Sequence, residues 1–331
     1  MTSLLKGLFT SFLLGQYLQA NTFALSWPTP NPSFAKGLGY HAFLQKTGPG
    51  KDFSSGAFGC VRNNGYKFHE GLDLFPIKTN GQGHAEDSVF AAMNGTVMHI
   101  SHSASASAYG KYIVLEHGNF APVLYTLYAH LAQISKGLKI GSKVETATAL
   151  GKMGNSASFH IPLNRSHLHF EVGLRLSDQF NKWYNRKKFK TKNKHGNFNG
   201  YNLVGFDPIH FYSSFQKTSF LSPIQYMESL PVVTKVRVAA SFTPFIARQN
   251  LSLNSNIESR LPVRSWICSF GPFGIPLLFE ASNLQATKKV QVLSYNEQAD
   301  SNSCRKLISK ENGILKPSDQ LEVYLELIFL E

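Results

Sequence analysis

The chain has 331 residues, of which 43% are hydrophobic and 16% charged, and its formal net charge is +13. This is too long for one minimal domain and long enough for two modest ones, and the hydrophobic content excludes wholesale disorder. Strand-forming aromatics, at 13% of residues, together with abundant glycine, favour a β-rich chain over a helical one.

The N-terminus reads as a secretory signal peptide over residues 1–24: Lys6, then the apolar run Leu8–Leu14, then small residues near Ala20 and Ala24. Gln16 and Gln19 interrupt a stretch already too short to cross a membrane, and no later segment approaches the roughly 20 apolar residues a span needs. The mature chain is therefore expected without a transmembrane segment, exported to the periplasm, cell envelope or extracellular space. Export points the positive charge at an anionic envelope polymer and away from nucleic acid. Much of that charge is local, in Lys182, Arg186, Lys187, Lys188, Lys190, Lys192 and Lys194. Of the cysteines, Cys268 and Cys304 share the C-terminal region and are expected to pair, leaving Cys60 free. None has CxxC spacing, so none is assigned to a metal.

Residues 25–65, rich in Pro, Gly and Ser, read as an extended N-terminal segment with little regular structure. From about 66 to 176, within a domain expected over 66–216, short apolar runs alternate with turns, and strands are expected at 89–92, 95–100, 112–115, 123–128 and 167–172. The fold class is mainly β, an antiparallel sheet. After Asp207-Pro208 a short helix or strand follows through Ile209–Tyr212. A linker near 216–231 leads into a small C-terminal β module, residues 217–331, with strands at 235–238, 276–280, 290–293 and 321–327.

The chemistry concentrates in two segments. His167 and His169, at i and i+2 in an apolar strand, point to one face about 6–7 Å apart. Upstream, His69-Glu70-Gly71-Leu72-Asp73 puts an imidazole and a carboxylate on one face. In an extended strand these two lie about 13 Å apart, so a bend is needed, and Gly71 permits one. A helical, HExxH-like reading of His69-Glu70 is weaker, because Asp replaces the second His, Gly71 weakens a helix and Pro76 follows closely. Together with one of His167 and His169, His69 and Asp73 give three zinc ligands and an open position. The other histidine is then placed to transfer protons, and His130 in Tyr128-Ala129-His130-Leu131 offers a further proton-handling or oxyanion-stabilising group. Arg62 and Tyr66 lie just upstream and are candidates for substrate contact, whereas His160 reads as lining or surface. The remaining histidines, His117 among them, are read as structural.

From these residues the chain resembles the lysostaphin/LytM-type zinc metallopeptidases, which cleave the peptide part of bacterial peptidoglycan. The resemblance rests on His69–Asp73, Gly95-Thr96-Val97, Leu127–Leu131, Gly141–Val144, Leu150–Ser156 and His167–Val172, with Phe206-Asp207-Pro208 like the family's closing Asn-Pro. It covers roughly 60–212. It implies one zinc ion per chain held by His69, Asp73 and His169, with His130 and His167 as catalytic histidines and a zinc-activated water attacking peptidoglycan peptides. The run Ala157–Ser166 is longer and bulkier than the family's turn before His-x-His, so substrate choice is expected to be decided there. Two other functions remain open: a non-enzymatic wall-binding or amidase-activating module, and a secreted zinc protease acting on proteins.

Overall fold

The structure is a computed structural model that describes residues 23–48, 51–121, 123–218, 222–249, 262–300 and 303–330. The expected signal peptide lies outside them, apart from Phe23 and Ala24. None of the helices described is long and apolar enough to cross a membrane.

The first strands are β1 (Gly59–Arg62), β2 (Lys67–His69), β3 (Leu72–Leu74) and β4 (Ser88–Phe90). Next come β5 (Gly95–Ser101), β6 (Tyr112–Glu116) and β7 (Leu124–Ala129). β8 (Gln133–Ile134), β9 (Lys143–Val144) and β10 (Ala149–Lys152) are short, and the eight-residue β11 (Leu168–Arg175) follows. Helix α1 (Phe180–Arg186) separates it from β12 (Leu203–Gly205). Among the described residues, β12-β11-β7-β6-β5-β9 lie side by side in a seven-stranded antiparallel sheet whose last member, β3, also pairs with β11. β4, β10 and β8 form a smaller sheet, and β1 pairs with β2.

β11 is buried along its whole length, and its alternation sorts its side chains. Leu168, Phe170, Val172 and Leu174 enter the main core. His169, Glu171 and Arg175 point to the other face. There Ala129, Leu127 and Tyr125 of β7 stand opposite His169, Glu171 and Gly173. That face pairs apolar residues such as Tyr112 and Phe198 with buried polar groups.

Asp207-Pro208 proves to be a helix start. The Asp207 carboxylate accepts from the backbone N–H of Ile209 and His210, with Pro208 in the first turn of α2 (Pro208–Lys217). Helix α3 (Pro223–Glu228), strand β13 (Thr234–Val238) and helix α4 (Phe245–Arg248) follow. β14 (Ser265–Phe270), β15 (Pro276–Ser282) and β16 (Val290–Tyr295) join β13 in a four-stranded sheet ordered β15-β14-β13-β16. A hairpin of β17 (Ile308–Glu311) and β18 (Ile314–Pro317) precedes helix α5 (Asp319–Ile328).

Two expectations are overturned here. Residues 321–327 are helical: Ser318 caps the helix by accepting from Leu321 N–H, and Leu321, Tyr324, Leu325 and Ile328 bury one face. The same residues alternate apolar and polar, so the strand pattern was real but the cap and the Leu- and Glu-rich composition decided. The cysteine pairing also differs. Cys60 bonds Cys304, with Cα atoms 5.7 Å apart, and Cys268 is buried and free. Cys268 lies inside β14 with its side chain in the core, whereas Cys304 is placed beside β1.

Candidate metal centre

Strand register explains why three residues distant in sequence meet. In the β3–β11 pair Asp73 stands directly opposite His169, so their side chains leave the same face. His69 reaches them because the strand breaks between β2 and β3. Gly71 sits at that break, and a Cβ there would meet the Phe170 carbonyl oxygen at 2.3 Å. The glycine is needed for close approach of two backbones, not for a left-handed turn.

The donor atoms form a nearly equilateral triangle. His69 Nε2 lies 3.2 Å from His169 Nδ1 and 3.2 Å from Asp73 Oδ1, and His169 Nδ1 lies 3.1 Å from Asp73 Oδ1. A tetrahedral ion with bonds near 2.05 Å separates its ligands by about 3.3 Å. These residues therefore fit a zinc-sized ion, and among the described residues they form the group that could hold one.

What lies behind each ring sets its tautomer. His69 Nδ1 donates to the Ala57 carbonyl at 2.7 Å, His130 Nδ1 to that of Ser156 at 2.8 Å and His167 Nδ1 to that of Arg165 at 2.8 Å. Each therefore turns Nε2 toward the site. His169 is reversed: its Nε2 donates to Glu171 Oε1 at 3.0 Å and its Nδ1 faces inward. Glu171 is fixed in turn by the hydroxyls of Tyr109 at 2.6 Å and Tyr125 at 2.9 Å.

Charge is finely divided here. Burial pushes the Asp73 carboxyl up, but the charges of His69 and His167 and hydrogen bonds from His169 and His69 hold it well below the usual carboxylate range. Burial weakens His169 as a base, yet its bonds to Asp73 and Glu171 push it up to about 10. His130 is pulled down to about 3 by burial and by neighbouring His167 and His169, and burial lowers His167 against the opposing pull of Asp73. Arg62 adds a cation, its Nη2 donating to Asp73 Oδ2 at 2.5 Å and to His69 Nε2 at 2.9 Å.

His130 and His167 are neighbours, with ring centroids 4.7 Å apart, and His167 Nε2 is 3.6 Å from Asp73 Oδ2. His130 follows β7 with φ of +61°, a left-handed conformation unusual for a residue with a side chain. All five histidine and aspartate candidates thus line one groove of about 630 Å³. Phe159, His160, Ile161 and Arg165 bring the bulky run before His167 into its wall. Tyr66, by contrast, is 86% exposed and does not line it.

Sequence reasoning missed Glu171, Tyr109 and Tyr125 as supports, although Glu171 continues the His167, His169 alternation. It also gave the C-terminal residues no part in the site, whereas Arg305 and Gln320 line the groove. Three of the histidines read as structural are tied to neighbouring polar groups. His117 is fully buried between the Asn94 carbonyl and the Thr126 hydroxyl, and His99 and His195 both bond the Tyr112 hydroxyl.

Residues 67–181 match peptidase family M23. The chain carries an M23 domain. No curated protein gives a significant match. Among solved structures, a zinc containing peptidase from Vibrio cholerae is 23% identical with a TM-score of 0.31, covering 46% of this chain and 37% of its own. Helicobacter pylori Csd3 is 21% identical with a TM-score of 0.29, covering 46% and 30%. The catalytic domain of lysostaphin from Staphylococcus simulans is 20% identical with a TM-score of 0.30, covering 48% and 88%. This chain spans roughly a third of the first two proteins. Within the M23 domain lie the donor triangle, His130 and His167; Arg62 falls just before it.

Proposed function

We propose that this chain is an exported zinc metalloendopeptidase that hydrolyses peptide bonds of bacterial peptidoglycan. The observation that carries the reading is the donor triangle, with edges of 3.1–3.2 Å, facing a groove within an M23 domain. His69 Nε2, Asp73 Oδ1 and His169 Nδ1 would hold the ion. Bound zinc supplies a Lewis acid for the peptide carbonyl and brings the pKa of water near 7. His130 and His167, kept neutral by burial, present unprotonated Nε2 atoms that can take a proton from the attacking water and return it to the leaving amine. Once protonated, the same N–H stabilises negative charge on the carbonyl oxygen.

Two features support the setting. The Cys60–Cys304 bond suits an oxidising compartment outside the cytoplasm. The seven cations between Lys182 and Lys194 are all exposed, which suits contact with an anionic envelope polymer.

The test is release of new amine termini from purified sacculi. Chelator treatment of the full chain and, separately, His69→Ala should each abolish release, and added zinc should restore the chelated protein. Undiminished release by metal-free protein would overturn the reading. Sacculus binding without new termini would fit a wall-binding or amidase-activating module, and equal cleavage of casein a secreted protease acting on proteins.

A further inference from the structure

The groove wall nearest His69 is built in part by the C-terminal residues. Arg305 follows Cys304, whose bond to Cys60 ties it to β1. Its guanidinium lies 4.0 Å from the centre of the Phe68 ring and its Nη2 is 3.2 Å from Glu70 Oε1. Phe68 and Glu70 flank His69, so Arg305 is fixed beside the strand that delivers a candidate metal ligand. Gln320, from the first turn of α5, lines the same groove.

The charge of this lining is unbalanced. Arg62, Lys67, Arg165 and Arg305 face only Glu70 and Asp73. Asp73 is buried in the donor triangle and Glu70 is paired with Arg305, so Lys67 and Arg165 leave the lining with a net positive charge toward a bound molecule. Arg305 also donates to the Tyr324 hydroxyl, and a guanidinium can share its five N–H donors among several acceptors. A bound carboxylate can therefore compete with the part-exposed Glu70 pair, which contributes little in water.

We propose that Arg305, supplied by the C-terminal residues and held by the Cys60–Cys304 bond, recognises a free carboxylate on the peptide bound in the groove. This rests on the groove being the peptide-hydrolysing site. Arg305 would set which peptides bind, leaving the reacting atoms to the histidines.

The test uses the full-length protein and purified sacculi, either native or with their free carboxylates converted to primary amides. New amine termini are followed against sacculus concentration, and co-sedimentation is measured with chelator-treated protein. The unaltered protein should favour native over amidated sacculi by about tenfold in apparent KM, with kcat unchanged. Arg305→Gln should lose most of that preference and Arg305→Lys should keep part of it. Because the exposed lysines respond to amidation equally in every variant, the change in preference isolates Arg305. An Arg305→Gln protein that retains the full preference in both measurements would overturn the proposal. So would an unaltered protein with none. If neither sacculus is cleaved, the hydrolase reading fails, and co-sedimentation still decides whether Arg305 reads carboxylates.

Discussion

His169 differs from the other site histidines in which nitrogen it turns inward, and Glu171 is the cause. A carboxylate behind Nε2 fixes the ring and strengthens Nδ1 as a donor. Glu171→Gln should keep the shape but lose the charge, lowering zinc affinity by roughly 10- to 100-fold, as read by competition with a chelator of known affinity. Glu171→Ala should add a stability loss of roughly 1–3 kcal/mol, because the buried Tyr109 and Tyr125 hydroxyls lose their acceptor. At this scale the sequence was highly legible: His69, Asp73, His130, His167 and His169 all meet, because strand alternation and one glycine constrain where they point. Arg62, read as a candidate for substrate contact, lines the groove but is held by Asp73 and His69. Its contact with Asp73 depends on how β1 lies against β2, and the bulge between Cys60 and Arg62 leaves no mark in the alternation pattern.

Among elements, β5 and β6 meet at a point where Gly95 and His117 depend on each other. A Cβ on residue 95 would lie 2.7 Å from His117 Nδ1, so the imidazole occupies the space a larger residue would need. Burial pulls His117 down to about 4, below its ordinary 6.5. The unfolded chain then binds more protons than the folded one between these values. The stabilisation is complete above pH 6.5 and is lost as pH falls toward 4, amounting to about 3 kcal/mol at most. His117→Gln should flatten that part of the stability profile, measured by urea unfolding at several pH values. The central strands were readable from alternation, and each begins or ends within a few residues of its expected place. α5 was not, because Leu321–Leu327 satisfies both periods and only the Ser318 cap separates them. The β17–β18 hairpin was passed over although Asn312-Gly313, both with positive φ, is a strong turn signal.

At the scale of the whole molecule, the C-terminal residues pack closely against the segments that flank the M23 match on either side. Phe273 meets Phe58 edge-on at 4.8 Å, Trp183 Nε1 donates to Glu326 at 2.8 Å, and Lys187 pairs with the same carboxylate at 2.7 Å. No motif announces such contacts, since they join surfaces whose residues are unremarkable in isolation. The Cys60–Cys304 bond is the covalent part of this junction. Replacing both cysteines by serine should lower stability by roughly 2–5 kcal/mol in urea unfolding, because the bond closes a very long loop in the unfolded chain. Cys268, buried in the core with its thiol pushed up by burial, should remain unreactive in that variant.

That bond also orders events in time. Cys60 and Cys304 are 244 residues apart, so the link waits until everything between them has been synthesised. The donor triangle takes its residues from β2, β3 and β11, but the wall carrying Arg305 is fastened only afterwards, and only where thiols can oxidise. The candidate metal ligands are therefore synthesised before the residue proposed to give selectivity. The chain's finished specificity would be a product of the compartment in which it matures.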